Sequence, residues 1–164
     1  IEVKRANGED EVFLATKFGQ MIRFSEQDVR STGRTSMGVR GITLDEGDEV
    51  IGMQLARQGD AILAVTESGM GKRTDLEEFS LQHRGGKGIR YYKITGKTGN
   101  VIGFKIVQEQ QDLLLITSEG TIIRLRMADV SKIGRVTSPD KQIGLDKGVK
   151  VAGVAKIREE KMDE

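Results

Sequence analysis

Three phased copies of a β-rich period of about 50 residues predict an all-β, propeller-like fold of three four-stranded blades in a partial ring. Two independent sets of landmarks carry the prediction. Thr16, Thr66 and Thr117 recur at offsets of 50 and then 51 residues, together with Gly19, Gly69 and Gly120 and with Arg23, Arg73 and Arg124. They lie in EVFLATKFGQMIRF, AILAVTESGMGKRT and LLLITSEGTIIRL. Gly52, Gly103 and Gly153 recur at offsets of 51 and 50 in VIGMQLA, VIGFKIV and VAGVAKI. Chance rarely keeps two such sets in phase. β-Branched residues and glycines also recur too often for any helix-length apolar stripe to persist.

Each period reads as strands in a fixed order. Ile1–Ala6, Val50–Ala56, Val101–Val107 and Lys150–Ile157 show partial alternation, and the first two precede the polar turns NGED and RQGD. Val12–Ala15, Ile62–Val65 and Leu113–Ile116 are short apolar runs, expected to be buried on both faces. After the glycine turn come Met21–Phe24, Gly71–Arg73 and Thr121–Leu125, and a longer loop leads to Val39–Leu44 or Ile89–Ile94. The units fall at 1–49, 50–100 and 101–149, followed by an extra strand at 150–157 and a charged, pattern-free tail at 158–164. Closed propellers have about four to eight blades, so three leave the ring open. The exposed first and last strands make self-association an expectation.

Composition narrows the chemistry. The 26 basic and 25 acidic residues leave a net charge of +1, so affinity for a polyanion must come from clustering. With no cysteine there is neither a disulfide nor a thiolate metal site, and one histidine leaves no histidine-based dyad. No catalytic residue, metal site or cofactor is expected. Aromatics are 4% of the chain, too few for reading single strands by stacking. The start at Ile1, with no signal-like segment or membrane-length run, points to a cytoplasmic piece of a longer protein.

The chemistry-bearing stretch is QHRGGKG, Gln82–His83–Arg84–Gly85–Gly86–Lys87–Gly88. Glycines let backbone N–H groups approach a surface, and flanking cations suit a phosphate. A solvated basic turn fits the same residues. The two other periods carry a related knuckle, GRTS and GRVT, so that Arg34, Arg84 and Arg135 stand in register. Around a ring of blades such knuckles form a curved track, joined by Arg40, Arg90, Arg73 and Arg124, with Lys17, Arg23, Lys72 and Lys132 nearby. Acidic residues gather in LDEGDE, DLEE and the tail, which predicts a two-sided charge distribution. The arginines also fit a role in discouraging edge pairing of the sheets.

On these residues the chain resembles the C-terminal domain family of DNA gyrase A, one of the type IIA topoisomerases. The family's box has the pattern QRRGGKG, matched here except at His83, and the GRTS and GRVT knuckles resemble its degenerate copies. The resemblance implies a six-bladed β-pinwheel, of which this chain resembles the later half, with duplex DNA wrapped on its basic rim. It further implies a non-catalytic role in ATP-dependent negative supercoiling by the A and B chains of gyrase together. The family's principal box usually lies in the first blade, whereas this one lies in a middle unit, so the principal and an auxiliary copy are both open readings. The corresponding domain of topoisomerase IV and a protein-binding propeller are the alternative readings. Tyr91 and Tyr92 are ordinary strand residues, since the family's catalytic tyrosine belongs to another domain.

His83 replaces a residue that is basic in the family box. An imidazole titrates near pH 6.5 and is cationic below it, so DNA binding is expected to tighten below about pH 6.5. Binding isotherms for the wild type and His83→Ala across that range check this.

Overall fold

The computed structural model describes residues 10–25, 41–82, 85–86, 88–92, 94, 99–134, 140–141 and 148–157. Strands β1 (Glu11–Thr16) and β2 (Gln20–Ser25) form the first hairpin, β4 (Ala61–Thr66) and β5 (Met70–Asp75) the second, and β9 (Asp112–Thr117) and β10 (Ile122–Arg126) the third. Each hairpin turns through the same Thr-x-x-Gly device. The glycine N–H donates to the threonine carbonyl at 3.2, 3.0 and 3.0 Å in the three copies. The threonine Oγ1 then accepts from the N–H of Gln20, Met70 or Thr121 at 3.1, 3.3 and 3.1 Å. Gly19, Gly69 and Gly120 have φ of 88°, 85° and 85°, a region costly for any residue with a Cβ.

The pairing of the remaining strands is what the sequence period conceals. β3 (Val50–Leu55) stands beside β1, with Leu14 opposite Met53 and Ala15 opposite Gly52. β8 (Val101–Val107) stands beside β4, and β12 (Val151–Lys156) beside β9. The strand that opens each period is therefore hydrogen-bonded into the sheet of the period before it. The outer strands are handed back in the same way. β6 (Leu81–Gln82) and β7 (Ile89–Arg90) both pair with β2, and β11 (Asp140–Lys141) pairs with β5. The sheets are thus β3-β1-β2-β6 with β7 also on β2, then β11-β5-β4-β8, then β10-β9-β12 among the described residues. Each sheet draws on two consecutive periods.

The sheets stack face to face. Phe13, Ala15 and Met21 of the first meet Ile62, Ala64, Phe104 and Ile106 of the second, and Phe79, Tyr91 and Tyr92 complete that core. Leu63, Val65 and Val107 on the other face of the second sheet meet Leu113, Leu115 and Val151 of the third. This arrangement corrects one expectation. β4 is buried along its whole length, but β1 and β9 alternate between buried and half-buried positions. Among the described residues only the middle sheet has a neighbouring sheet on both sides. The strand expected over 1–6, the portion 39–40 of another and the tail 158–164 lie outside the described residues, and 41–44 is irregular.

The second landmark set marks the sheet-to-sheet contacts. A Cβ on Gly52 would stand 3.2 Å from Phe104 Cδ1, and one on Gly103 would stand 2.4 Å from Val154 Cγ2 and 3.0 Å from its Cβ. Gly153 has nothing within 4 Å of the equivalent position. Gly103→Ala is therefore expected to destabilise the fold by about 1–3 kcal/mol through overpacking. Gly153→Ala should leave stability unchanged or raise it by up to about 1 kcal/mol. Chemical denaturation of the two variants distinguishes them.

Candidate nucleic-acid interface

The box lies on the outer edge of the first sheet, as an excursion between two short strands that both clasp β2. On one side Leu81 and Gln82 run parallel to Arg23 and Phe24; on the other, Ile89 and Arg90 run antiparallel to Met21 and Gln20. Gly88 is the wedge between them. Its φ is +77°, and a Cβ there would lie 2.3 Å from the carbonyl oxygen of Met21. No other residue lets the chain pass this close to β2.

The glycine pair is stitched to the segment that precedes β3. Gly85 N–H donates to Gly41 O at 2.6 Å, and Thr43 N–H donates to Gly86 O at 2.7 Å. The Thr43 hydroxyl donates to Gly85 O. The Gly85 amide is consequently spent within the protein, a correction to its expected service toward a phosphate. Among the described residues the Gly86 N–H has no partner, and Gly86 is exposed. Gln82 is half-buried beside the box and Arg90 is exposed on β7. His83, Arg84 and Lys87 lie outside the described residues, as do Arg34, Arg40 and Arg135.

In a second set of arginines, in register but at a different place in the period, two of the three turn inward. Arg23 reaches from the first sheet into the next period, donating from Nη1 to Leu76 O at 3.1 Å and Phe79 O at 2.9 Å. Its Nε meets Glu11 Oε2 at 2.7 Å, and its guanidinium lies 5.3 Å from the Phe13 ring centroid. Arg73 repeats the reach into the third period, with Nε donating to Val130 O at 2.9 Å, and the residue is only 5% exposed. Arg73 therefore leaves the set of phosphate-facing candidates, because its cation is buried against a carbonyl of the third period. Lys72 behaves similarly, 1% exposed with its ammonium on Gly134 O at 3.2 Å and 5.4 Å from the Tyr92 ring centroid. Sequence reasoning missed these clamps. Their signal was the contrast between arginines that follow the glycine turn and arginines in the knuckles.

Arg124, the third member, has 65% of its side chain exposed and pairs with Asp112 Oδ2 at 2.7 Å from Nε. The charge separation is also less clean than expected, since Lys132 beside the third knuckle holds Asp75 at 2.6 Å. That hydrogen bond raises the Lys132 pKa.

Tyr91 and Tyr92 are 1% and 0% exposed. Tyr91 Oη donates to Thr16 O at 3.0 Å, and its N–H donates to Gly19 O at 2.8 Å, fixing the first glycine turn from the next period. Burial pushes both phenols well above their ordinary pKa. They pack and brace. No group of three or more His, Cys, Asp or Glu converges among the described residues. An open groove beside β3 and β8 carries Lys17, Glu49, Glu67 and Asn100, with Lys17 paired to Glu49 at 3.7 Å and Glu67 to Lys150 at 3.8 Å.

Comparison with known proteins agrees with this architecture. The family described as DNA gyrase C-terminal domain, beta-propeller, matches residues 10–57, 60–108 and 111–158. Those limits coincide with a hairpin plus the strand that closes its sheet. The DNA gyrase A protein of Staphylococcus aureus strain NCTC 8325 / PS 47 is 42% identical over 166 residues, covering 100% of this chain and 19% of its own length. The chain thus spans about a fifth of the curated relatives it matches. A solved DNA gyrase A C-terminal domain superposes with TM-score 0.85 at 28% identity, covering 93% of this chain and 52% of that one. The C-terminal domain of DNA topoisomerase IV gives TM-score 0.87 at 26% identity, covering 95% and 49%.

Replacing Arg73 by alanine removes a charged hydrogen bond and orphans a buried carbonyl. The expected loss of stability is about 1.5–3 kcal/mol, measured by chemical denaturation.

Proposed function

The chain belongs to the DNA gyrase C-terminal domain family, and on that premise we propose that it is a non-catalytic module that binds duplex DNA and wraps or bends it. One observation carries the reading. The glycines of the box lie on the outer edge of a sheet, Gly88 against β2 and Gly85 and Gly86 hydrogen-bonded to Gly41 and Thr43, so these glycines are held before any ligand arrives. Preorganised donors lose less ordering entropy on binding than a loose loop does. Arg84 and Lys87 meet phosphates, with the Gly86 N–H and Arg90 beside them and Gln82 supporting the loop. His83 adds charge at low pH. Arg34, Arg40 and Arg135 do the same on the other knuckles, and Arg124 contributes from the third sheet.

Phosphate contacts set the path of the duplex and carry no base code, so sequence specificity is low. Bending a site of 20–30 base pairs costs about 1–6 kcal/mol, which many distributed contacts must offset. Within a parent gyrase the module supports ATP-dependent negative supercoiling by the A and B chains in the bacterial cytoplasm. The topoisomerase IV domain is the second reading, favoured by its structural likeness. It differs in bending DNA less.

Binding to a duplex is expected to weaken steeply with salt, with a log–log slope near −0.9 for each phosphate contact. The double substitution Arg84→Ala, Lys87→Ala should lower affinity and flatten that slope by about 0.9 for each lost contact. Fluorescence-anisotropy titrations at several salt concentrations and a DNA-bending or topology assay measure both effects. A shallow slope common to wild type and variant overturns the proposal and favours a protein ligand.

A further inference from the structure

The core between the first two sheets holds a cation. Lys72 is buried on β5 opposite Ala64, yet the matching position is isoleucine in the two other periods, Ile22 and Ile123. A second departure accompanies it. The position of Ile42 is taken by Tyr92 in the middle period and by Ile143 in the last. Ile22 and Ile42 share a buried apolar cluster on the first sheet. On the second sheet the matching pair is the Lys72 ammonium, 5.4 Å from the centroid of the buried Tyr92 ring. The two exchanges belong together, because an aromatic face attracts a cation that an aliphatic side chain would leave without compensation.

The ammonium is aimed at the third period. Lys72 Nζ donates to the carbonyl of Gly134 at 3.2 Å. The chain reaches that carbonyl by a short clasp on β5. Arg73 N–H donates to Ser131 O at 3.0 Å, Ile133 N–H donates to Arg73 O at 2.8 Å, and Lys132 pairs in parallel with Arg73. The Gly134 carbonyl belongs to the peptide group that joins Gly134 to Arg135, the arginine of the third knuckle. In the second period the box is anchored otherwise, through the bonds of Gly85 and Gly86 to Gly41 and Thr43. The third knuckle has Val136 and Thr137 where the box has those two glycines. Isoleucine serves the fold at the Lys72 position in both other sheets, so packing alone does not call for a buried ammonium.

We propose that Lys72 is a positioning residue of the third knuckle, its ammonium holding the Gly134 carbonyl and thereby fixing where Arg135 meets a DNA phosphate. The proposal rests on duplex binding by the knuckles. Arg73, next to Lys72 on β5, braces the same period at Val130, so the two cations divide the work. One ties the sheets together and the other sets the root of the knuckle.

Lys72→Met keeps the aliphatic stem and removes the charge. Replacing a buried ion by an apolar side chain of similar volume is often neutral or stabilising, so the melting temperature should match or exceed wild type. Lys72→Ile, which installs the residue of the other periods, should behave alike. In the free chain the carbonyl carbon-13 resonance of Gly134 should move upfield as its hydrogen bond is lost. In anisotropy titrations both variants should bind a duplex more weakly, with the log–log salt slope flattened by up to about 0.9, the share of one phosphate contact. Arg135→Ala should weaken binding in the wild type and add little in the Lys72→Met background, whereas simple loss of a charge would be additive. A steep wild-type slope that Lys72→Met leaves unchanged overturns the positioning role alone. Full additivity with Arg135→Ala, or an unmoved Gly134 resonance, overturns it as well. A shallow wild-type slope overturns duplex binding and the positioning role together.

Discussion

Every sheet here is finished by residues from the period that follows, and the rest of the structure depends on that hand-over. β1 and β2 cannot bury themselves: β3 covers one edge, β6 and β7 cover the other, and all three come from beyond residue 49. Side chains reinforce the exchange. Arg23 and Arg73 carry a cation across each boundary to carbonyls of the next period, and Tyr91 reaches back to Thr16. A buried guanidinium is tolerated only when hydrogen-bonded, so these contacts also fix how far one sheet advances past the next.

That dependence explains how the glycines of the box are tied to the sheet beside them. Strongly charged, glycine-rich segments ordinarily stay loose, since they bury too little to offset their conformational entropy. In QHRGGKG the glycines spend their freedom on close approach to β2 and on hydrogen bonds to Gly41 and Thr43. The strands at both ends of the box are pieces of the sheet itself. The edge that carries the box and the stacking core are therefore one unit, and a change in sheet stacking would move the glycines of the box.

The periods themselves, the glycine turns, the strand-rich segments and the box were legible in the sequence, because each follows from local chemistry repeated at a fixed interval. The Thr-x-x-Gly turn needs only four residues, and three copies made it unmistakable. The roles of the arginines were not legible. Arg73 and Arg90 are both cations close to glycines, yet one is buried against Val130 and the other is exposed. Nor could a count of apolar residues separate β4, covered on both faces, from β1 and β9.

What the sequence determined by itself is the repeating unit and the places of its glycines and cations, since periodicity and side-chain chemistry are properties of the chain. The tertiary structure alone decided which strand closes which sheet, which arginines turn inward, and that the Gly85 amide of the box is spent on Gly41. These are outcomes of non-local pairing. A strand's partner is chosen by backbone hydrogen bonds that side-chain patterns do not encode, and a cation's environment is set by sheets about 50 residues away along the chain.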